Sequence, residues 1–204
     1  MKIVFTWIQW CGKWTQARLL VEKYGFTLLE MWNEFRKLVA SWTELWNKVK
    51  QIIESWAQVD SDLWKEIMEN VLKNQSSEKI IYDGFIRNEW NKEIFDRILP
   101  DYKVLFFDLS VEKAKSRLLG RMFDKTTGET FVAWTTHNPK TWEELVKRED
   151  DKDEKAVIKR IHEYEDKTLP IVEIQKNEWK VIEVSANDTI ENIHNVIVEK
   201  LGLS

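Results

Sequence analysis

Apolar and polar positions follow two different periods along this chain. Short runs of apolar, often β-branched residues predict buried strands. Between these runs apolar residues recur every three or four positions, which predicts helices with one buried face. The predicted strands are Lys2–Thr6, Thr27–Leu29, Lys79–Tyr82, Lys103–Leu109 and Lys180–Val184. The predicted helices are Lys13–Tyr24, Asn33–Ala40, Glu44–Ser55, Ser61–Lys73, Lys92–Ile98, Val111–Met122, Asp153–Lys167 and beyond, and Thr189–Leu201.

Turn-forming residues suggest where several of these elements end. Gly25 follows the first predicted helix at the position where helices commonly end in a left-handed residue. Asp188 precedes the last helix and is its predicted cap. The Thr-Thr-Gly turn at 126–128 predicts a small hairpin within residues 123–141. Trp90, Trp134 and Trp179 fall in predicted turns. Trp64 falls within a predicted helix.

Strands that alternate with helices indicate a parallel sheet covered on both faces. Ligands of such sheets bind at the carboxyl ends of the strands. Candidate site residues lie at that edge of three predicted strands: Gly12-Lys13 and Asp83-Gly84 each follow a strand, and Asp108 lies near the end of another. The sequence therefore places a candidate site at the carboxyl edge of the sheet.

The segment after the first strand has the layout of a phosphate-binding loop. Residues 7–15 read W-I-Q-W-C-G-K-W-T, between a strand and a helix. In such loops backbone N–H groups and the helix N-terminus bind phosphate oxygens, and the lysine reaches the outer phosphates. Gly12, Lys13 and Thr15 fit this pattern, but Trp7 stands where the first glycine is expected.

Composition narrows the class of protein further. The 204 residues, 43% apolar and 32% charged, suit one domain or one core with small inserts. A net charge of −4 argues against a nucleic-acid-binding surface. We expect no membrane span, because no run of about 18 apolar residues occurs, and no signal peptide. A single cysteine, Cys11, excludes an internal disulfide, and a cytoplasmic protein is expected.

Five segments, in order along the chain, resemble the motifs of the adenylate kinases. They are Trp7–Gln16 (G-x-P-G-x-G-K-G-T-Q), Asp83–Arg87 (D-G-F-P-R), Ser116–Arg121 (D-R-x-x-G-R), Thr141–Asp151 (T-G-E-E-L-x-x-R-x-D-D) and Lys159–Pro170 (K-R-L-x-x-Y-x-x-x-T-x-P). The resemblance implies an α/β fold of the P-loop type, with a parallel five-stranded sheet flanked by helices. It also implies a core of residues 1–29, 60–120 and 152–204, a nucleoside-monophosphate-binding insert of residues 30–59, and a short lid of residues 121–151.

The resemblance further implies reversible, magnesium-dependent phosphoryl transfer from ATP to AMP, giving two ADP and serving adenine nucleotide homeostasis. We expect a monomer, with no nucleic-acid or membrane partner, and a lid without structural zinc, because the lid has no Cys or His set with ligand spacing. The implied ATP-binding residues are Gly12, Lys13, Thr15, Arg117 and Arg121. The implied AMP-binding residues are Arg36, Arg87, Asn91, Arg148 and Arg160. The implied catalytic residues are Lys13, Arg87, Arg121, Arg148 and Arg160, with Asp83 orienting the hydration shell of Mg²⁺.

Tryptophan replaces glycine at many of the family's positions. The chain has 12 tryptophans and 6 glycines, whereas average usage of about 7% would give about 14 glycines. The positions concerned are Trp7, Trp10, Trp14, Trp32, Trp42, Trp46, Trp56 and Trp142. If these residues are tryptophan, the phosphate loop is obstructed and the chain is a nucleotide-binding remnant or a scaffold. The other hypothesis is a UGA codon that some bacteria read as glycine and other codes read as tryptophan.

Two further differences from the family motifs leave open which nucleoside monophosphate accepts the phosphoryl group. Glu30-Met31 replace the Ser-Thr that usually precedes the AMP-site glycine. Asn91 stands near the position of the glutamine that reads adenine, and is one methylene shorter. A different acceptor, CMP or UMP, is therefore the alternative within the same class of kinase.

Overall fold

The computed structural model describes residues 1–8, 11–40, 61–127, 129–131, 135–147 and 153–203, without the side chains at 36, 38–40, 61 and 63. The strands are β1 Lys2–Trp7, β2 Thr27–Glu30, β3 Ile80–Asp83, β4 Lys103–Asp108, β5 Met122–Phe123, β6 Thr130–Phe131 and β7 Val181–Ser185. The helices are α1 Lys13–Tyr24, α2 Met31–Ala40, α3 Ser61–Lys73, α4 Glu89–Ile98, α5 Val111–Leu119, α6 Glu154–Glu163, α7 Leu169–Asn177 and α8 Ile190–Leu201. The helix predicted at Glu44–Ser55 lies outside the described residues.

A five-stranded sheet in the order β2-β3-β1-β4-β7 forms the centre of the molecule. All four strand pairs are parallel. Val4 of β1 is in register with Tyr82 of β3 and with Val104 of β4. The predicted parallel five-stranded sheet is therefore confirmed, and the carboxyl ends of β1, β3 and β4 lie side by side at one edge.

The sheet separates two buried clusters, because successive residues of a strand face opposite sides. On one face Ile3 and Phe5 pack with residues of α1, α5 and α8. On the other face Val4 and Tyr82 pack with residues of α3 and α4. Each large apolar side chain buried in this way contributes about 1.5–3 kcal/mol relative to exposure. Burial on both faces explains why the strands read as continuous apolar runs rather than as alternating ones.

Several element ends differ from the sequence predictions. Thr189, not Asp188, caps α8, because its hydroxyl accepts the N–H of Asn192. The Asp188 carboxylate instead accepts the N–H of Thr189 at 2.7 Å. Helix α5 ends at Leu119 rather than Met122, because Met122 pairs with the other strand of the hairpin.

Trp90 lies in the first turn of α4 and not in the predicted turn. The Asn88 side chain caps this helix by accepting the N–H of Asn91 at 2.9 Å, so the helix begins three residues before the predicted Lys92. The sequence predicts one long helix where the structure has α6 and α7. In the structure a π-helical segment, Tyr164–Thr168, joins α6 to α7.

The hairpin of β5 and β6 confirms the predicted turn region and is closed by a buried carboxylate. Asp124 accepts hydrogen bonds from Asn138 Nδ2 at 2.6 Å and from the N–H groups of Thr126 and Thr127. These bonds, that of Asn138 above all, lower the pKa of Asp124 to about 2. Phe123 and Val146 exchange backbone hydrogen bonds, which attaches the hairpin to the loop that follows. Within the described ranges, no helix is long and apolar enough to cross a membrane.

Candidate active site

Gly12 sets the geometry at the start of α1. It precedes the helix with φ 88° and ψ 9°, in the left-handed region that glycine enters without a Cβ clash. Gly12 has no side chain to cap the helix, and the first turn, Lys13–Gln16, contains no acidic residue. The positive end of the helix dipole and the N–H groups of the first turn therefore favour an anion at the carboxyl edge of the sheet.

Lys13 and Asp83 form a close ion pair at this edge. Lys13 Nζ lies 2.5 Å from Asp83 Oδ1 and 2.6 Å from Oδ2. Asp83 ends β3, and its backbone is in register with Phe5 of β1. The pairing of these strands therefore places the Asp83 side chain near the loop that follows β1 and carries Lys13. Burial lowers the pKa of Lys13, against the opposing effect of the Asp83 carboxylate. Lys13 is thus a partly buried cation that is paired with one carboxylate at the N-terminus of α1.

Trp7 covers the other side of the same ammonium group. Lys13 Nζ lies 3.1 Å from the centre of a Trp7 ring, within the range of a cation–π interaction. Trp14, one position after Lys13, has an exposed fraction of 44% and lies near Arg18. The Trp7 indole therefore occupies the space against Lys13 that an incoming phosphate would approach.

The turn after β3 brings Arg87 to the site. Gly84 has φ 78°, and a Cβ placed there would lie 3.1 Å from Arg87 Nη2. The guanidinium thus lies close to Gly84, and the positive φ explains why glycine stands at this position. The Arg87 carbonyl accepts a hydrogen bond from Thr168 Oγ1 at 3.0 Å, and its N–H donates to Asn91 Oδ1 at 3.2 Å. The backbone of Arg87 is therefore anchored while its side chain remains exposed.

Three other predicted arginines lie on described elements. Arg117 of α5 donates to the Ala186 carbonyl at 3.2 Å, directly after the carboxyl end of β7. Arg121 is buried after α5, and Arg160 is half-buried in α6. The side chain of Arg36 in α2, and the whole of Arg148, lie outside the described residues.

Asn91 is buried in the first turn of α4, with an exposed fraction of 4%. Its Oδ1 fixes the Arg87 N–H, so this side chain supports the loop that carries Arg87. Thr15 is half-buried in the first turn of α1. Sequence reasoning missed the anchoring role of Thr168. Thr168 lies in one of the five family motifs, but a side-chain bond across 81 positions has no local signal in the sequence.

A central parallel sheet with a Gly-Lys loop at its carboxyl edge defines an α/β protein of the phosphate-binding-loop type. The sequence profile of the family described as adenylate kinase matches residues 9–180. The chain is 30% identical to an adenylate kinase of Alkaliphilus oremlandii, over 99% of each chain. It is also 30% identical to one of Orientia tsutsugamushi, over 100% of each chain, and 29% identical to one of Fusobacterium nucleatum, over 94% and 93%. The chain belongs to the adenylate kinase family, a family of phosphotransferases.

Proposed function

We propose that this chain catalyses reversible, magnesium-dependent transfer of the γ-phosphoryl group of ATP to AMP, giving two ADP. The Lys13–Asp83 pair at the N-terminus of α1 is the observation that supports it best. It joins a cation, a carboxylate and a helix N-terminus at the edge where phosphate is expected. The family supports the same reaction.

Phosphoryl transfer requires the reactants to be held in line and their negative charge to be compensated, with little covalent help from the protein. In our proposal Lys13 exchanges the Asp83 carboxylate for the outer phosphates of ATP. The N–H groups at the start of α1, beginning at Gly12, bind the inner phosphates, and Thr15 of the same turn completes the ATP site. Partial burial strengthens these contacts, because the effective dielectric constant is low there.

The residues at this edge fit a magnesium ion that accompanies ATP. Mg²⁺ prefers one or two carboxylates together with water and phosphate oxygens. Asp83 is a carboxylate with an exposed fraction of 8%, directly beside Lys13. Once Lys13 turns to phosphate, both Asp83 oxygens become available to hold water of the ion's hydration shell. When bound, the ion supplies charge compensation to the phosphate oxygens.

The remaining roles rest on the family resemblance and on position. Arg117 and Arg121 bind ATP, and Arg87, Arg121, Arg148 and Arg160 stabilise the group in transfer. The AMP site is formed by Arg36, Arg87, Asn91, Arg148 and Arg160. In addition, we propose the division into core, insert and lid, a monomeric state and a cytoplasmic location. The anchoring of Arg87 supports its role, since a fixed backbone aims an arginine at a phosphate with less loss of entropy on binding.

The test is a steady-state assay on the chain with glycine at the eight tryptophan positions of the family's glycines. ATP, magnesium and AMP are supplied, and nucleotides are separated by anion exchange. We expect two ADP for each ATP consumed, and AMP to be a better acceptor than CMP or UMP. The matched control is the same chain with Lys13→Met. Absence of turnover in a folded chain would overturn the proposal, and faster transfer to CMP or UMP would overturn the acceptor.

A further inference from the structure

Trp142 and Trp179 have a backbone conformation that large side chains rarely adopt. Among the described residues they are the two that combine a positive φ, 61° and 58°, with a side chain. Both side chains lie on the surface, with exposed fractions of 77% and 88%. Left-handed backbone is sterically unfavourable for any residue with a Cβ, and most so for bulky ones. Neither indole gains enough burial to compensate.

Trp179 occupies the same helix-ending motif that glycine occupies elsewhere in the chain. After α7, Trp179 N–H donates to the Lys176 carbonyl at 3.0 Å and Lys180 N–H donates to Gln175 at 3.1 Å. After α8 the same pattern recurs: Gly202 donates to Glu199 at 3.1 Å and Leu203 donates to Val198 at 3.0 Å. This paired pattern has glycine as its preferred left-handed residue. The backbone at Trp179 thus has the same conformation and the same hydrogen-bond pattern as the backbone at Gly202.

Trp142 closes a tight loop next to the buried Asn138. Its N–H donates to the Asn138 carbonyl at 2.8 Å, and the Asn138 N–H donates to the Glu143 carbonyl at 2.8 Å. The left-handed turn at 142 is needed to bring these two backbone groups together. The indole itself contacts the exposed His137 ring, with centroids 5.4 Å apart. That contact lies on the surface and does not explain the backbone conformation.

Trp64 provides the opposite case within the same chain. It lies in the interior of α3, has an exposed fraction of 4% and belongs to the buried cluster on one face of the sheet. Its ring packs edge-to-face against Trp90 at 5.4 Å. Glycine here would leave a large cavity and weaken the helix. The fold therefore requires a large apolar residue at this position.

We propose that the protein as its host synthesises it carries glycine at positions 142 and 179 and tryptophan at position 64. This assignment rests on backbone geometry and burial, and does not depend on the proposed reaction. It extends the glycine assignment to position 179, where a turn was the only sequence signal. Backbone geometry and burial therefore distinguish, among the 12 tryptophans of the sequence, positions that require glycine from a position that requires a large apolar residue.

The first test compares glycine with alanine at each position of the recombinant chain. Trp142→Gly and Trp179→Gly are expected to raise the folding equilibrium constant about fivefold over Trp142→Ala and Trp179→Ala. The alanine variants remove the indole but keep the Cβ, so they separate backbone strain from indole exposure. Trp64→Gly is expected to lower the urea midpoint strongly, and Trp64→Phe much less. Equal midpoints for the glycine and alanine variants would overturn the proposal.

The second test reads the residues directly by peptide mass spectrometry of the protein from its host. The peptides span positions 64, 142 and 179. We expect the mass of tryptophan at 64 and of glycine at 142 and 179. Tryptophan at 142 or 179, or glycine at 64, would overturn the assignment, even if the recombinant glycine variants were more stable.

Discussion

A lysine is bound to carboxylates at each end of the sheet's strands, Lys13 partly buried and Lys92 buried, and the two arrangements differ in how many carboxylates they supply. At the carboxyl edge, Lys13 contacts the single carboxylate of Asp83. At the amino edge, before β4 and β7 begin, Lys92 lies 2.6 Å from both Asp96 and Glu178. The number of carboxylate partners thus distinguishes a lysine that can bind a ligand from a lysine that stabilises the fold.

Further polar residues extend the amino-edge network around Asp96. Tyr102 donates to Asp96 at 2.6 Å and accepts from Gln175 at 3.2 Å, while Lys180 lies 3.3 Å from Asp96. Burial would lower the pKa of Lys92, but hydrogen bonds to Asp96 and Glu178 outweigh it and raise the pKa. Two carboxylates stabilise the charged form of Lys92, so exchanging them for another anion is electrostatically unfavourable.

The carboxyl edge is organised in the opposite sense. Burial outweighs the one carboxylate at Lys13, so its pKa is lowered. The N-terminus of α1, where Gly12 has no capping side chain, adds the N–H groups of the first helical turn beside it. An incoming phosphate brings more negative charge than Asp83 alone, so exchange is favourable there. The predictions below refer to the chain with glycine at the family's glycine positions.

The largest expected effect comes from removing the carboxyl-edge lysine. We predict that Lys13→Met lowers kcat by about 10²–10³-fold, the range measured when one donor to a developing charge is lost. The measurement is the initial rate of ADP formation at saturating ATP and AMP. Loss of less than tenfold would show that Lys13 does not serve the transferred group.

Arg87→Ala should lower kcat/KM for AMP by about 10²-fold, since a charged hydrogen-bonding partner of phosphate is lost. The matched control is Arg97→Ala in the same helix region, because Arg97 is exposed and paired only loosely, at 3.8 Å, with Glu93. We expect the control to keep its kcat/KM. Equal losses in both variants would mean that the loss follows from removing any positive charge and not from a contact that Arg87 makes with AMP.

Lys92→Met should act on stability and leave the reaction intact. Breaking a buried pair costs about 3–5 kcal/mol, and the partial exposure of Glu178 reduces this to about 2–3 kcal/mol. Urea unfolding measures the loss, and the ADP assay is its control. A Lys92→Met chain that stayed as stable as its parent, or lost activity while folded, would contradict the proposed division of roles.

Reintroducing tryptophan at position 7 should weaken ATP binding about tenfold, since a cation–π contact of about 1–2 kcal/mol must be broken to free Lys13. Phenylalanine at position 7 should give part of the effect, and leucine little of it. Calorimetric titration of ATP measures all three. Equal affinity for the glycine and tryptophan forms would show that the indole does not compete with phosphate.

The smallest effect concerns pH at the amino edge. Burial raises the pKa of Asp96, but hydrogen bonds from Lys92 and Tyr102 outweigh it, so the pKa lies below its usual value. The stabilisation is therefore complete above the unfolded pKa of about 3.9 and is lost as the pH falls through the folded pKa. We predict that the stability difference between parent and Asp96→Asn is constant from neutral pH to about pH 5 and shrinks below pH 4. A difference that does not change with pH would contradict this.

The sequence predicted the sheet because its strands are buried on both faces and read as apolar runs. It predicted the phosphate loop because Gly12-Lys13 is a local pattern. It misplaced the cap of α8, since Asp188 and Thr189 are both good caps and only the chain path selects Thr189. The Lys92 network was missed because its members are up to 86 positions apart and meet only through packing. The Thr168–Arg87 bond was missed for the same reason.

One measurement tests the contrast between the two edges most directly: the shift of the urea midpoint on adding ATP, for Lys13→Met and Lys92→Met side by side. A ligand at about 100 times its Kd stabilises the folded state by about 2.7 kcal/mol. We predict that ATP raises the midpoint of Lys92→Met as much as that of the parent, and leaves Lys13→Met almost unchanged. An equal ATP-induced shift in both variants would contradict the assignment of Lys13 as the phosphate-binding cation.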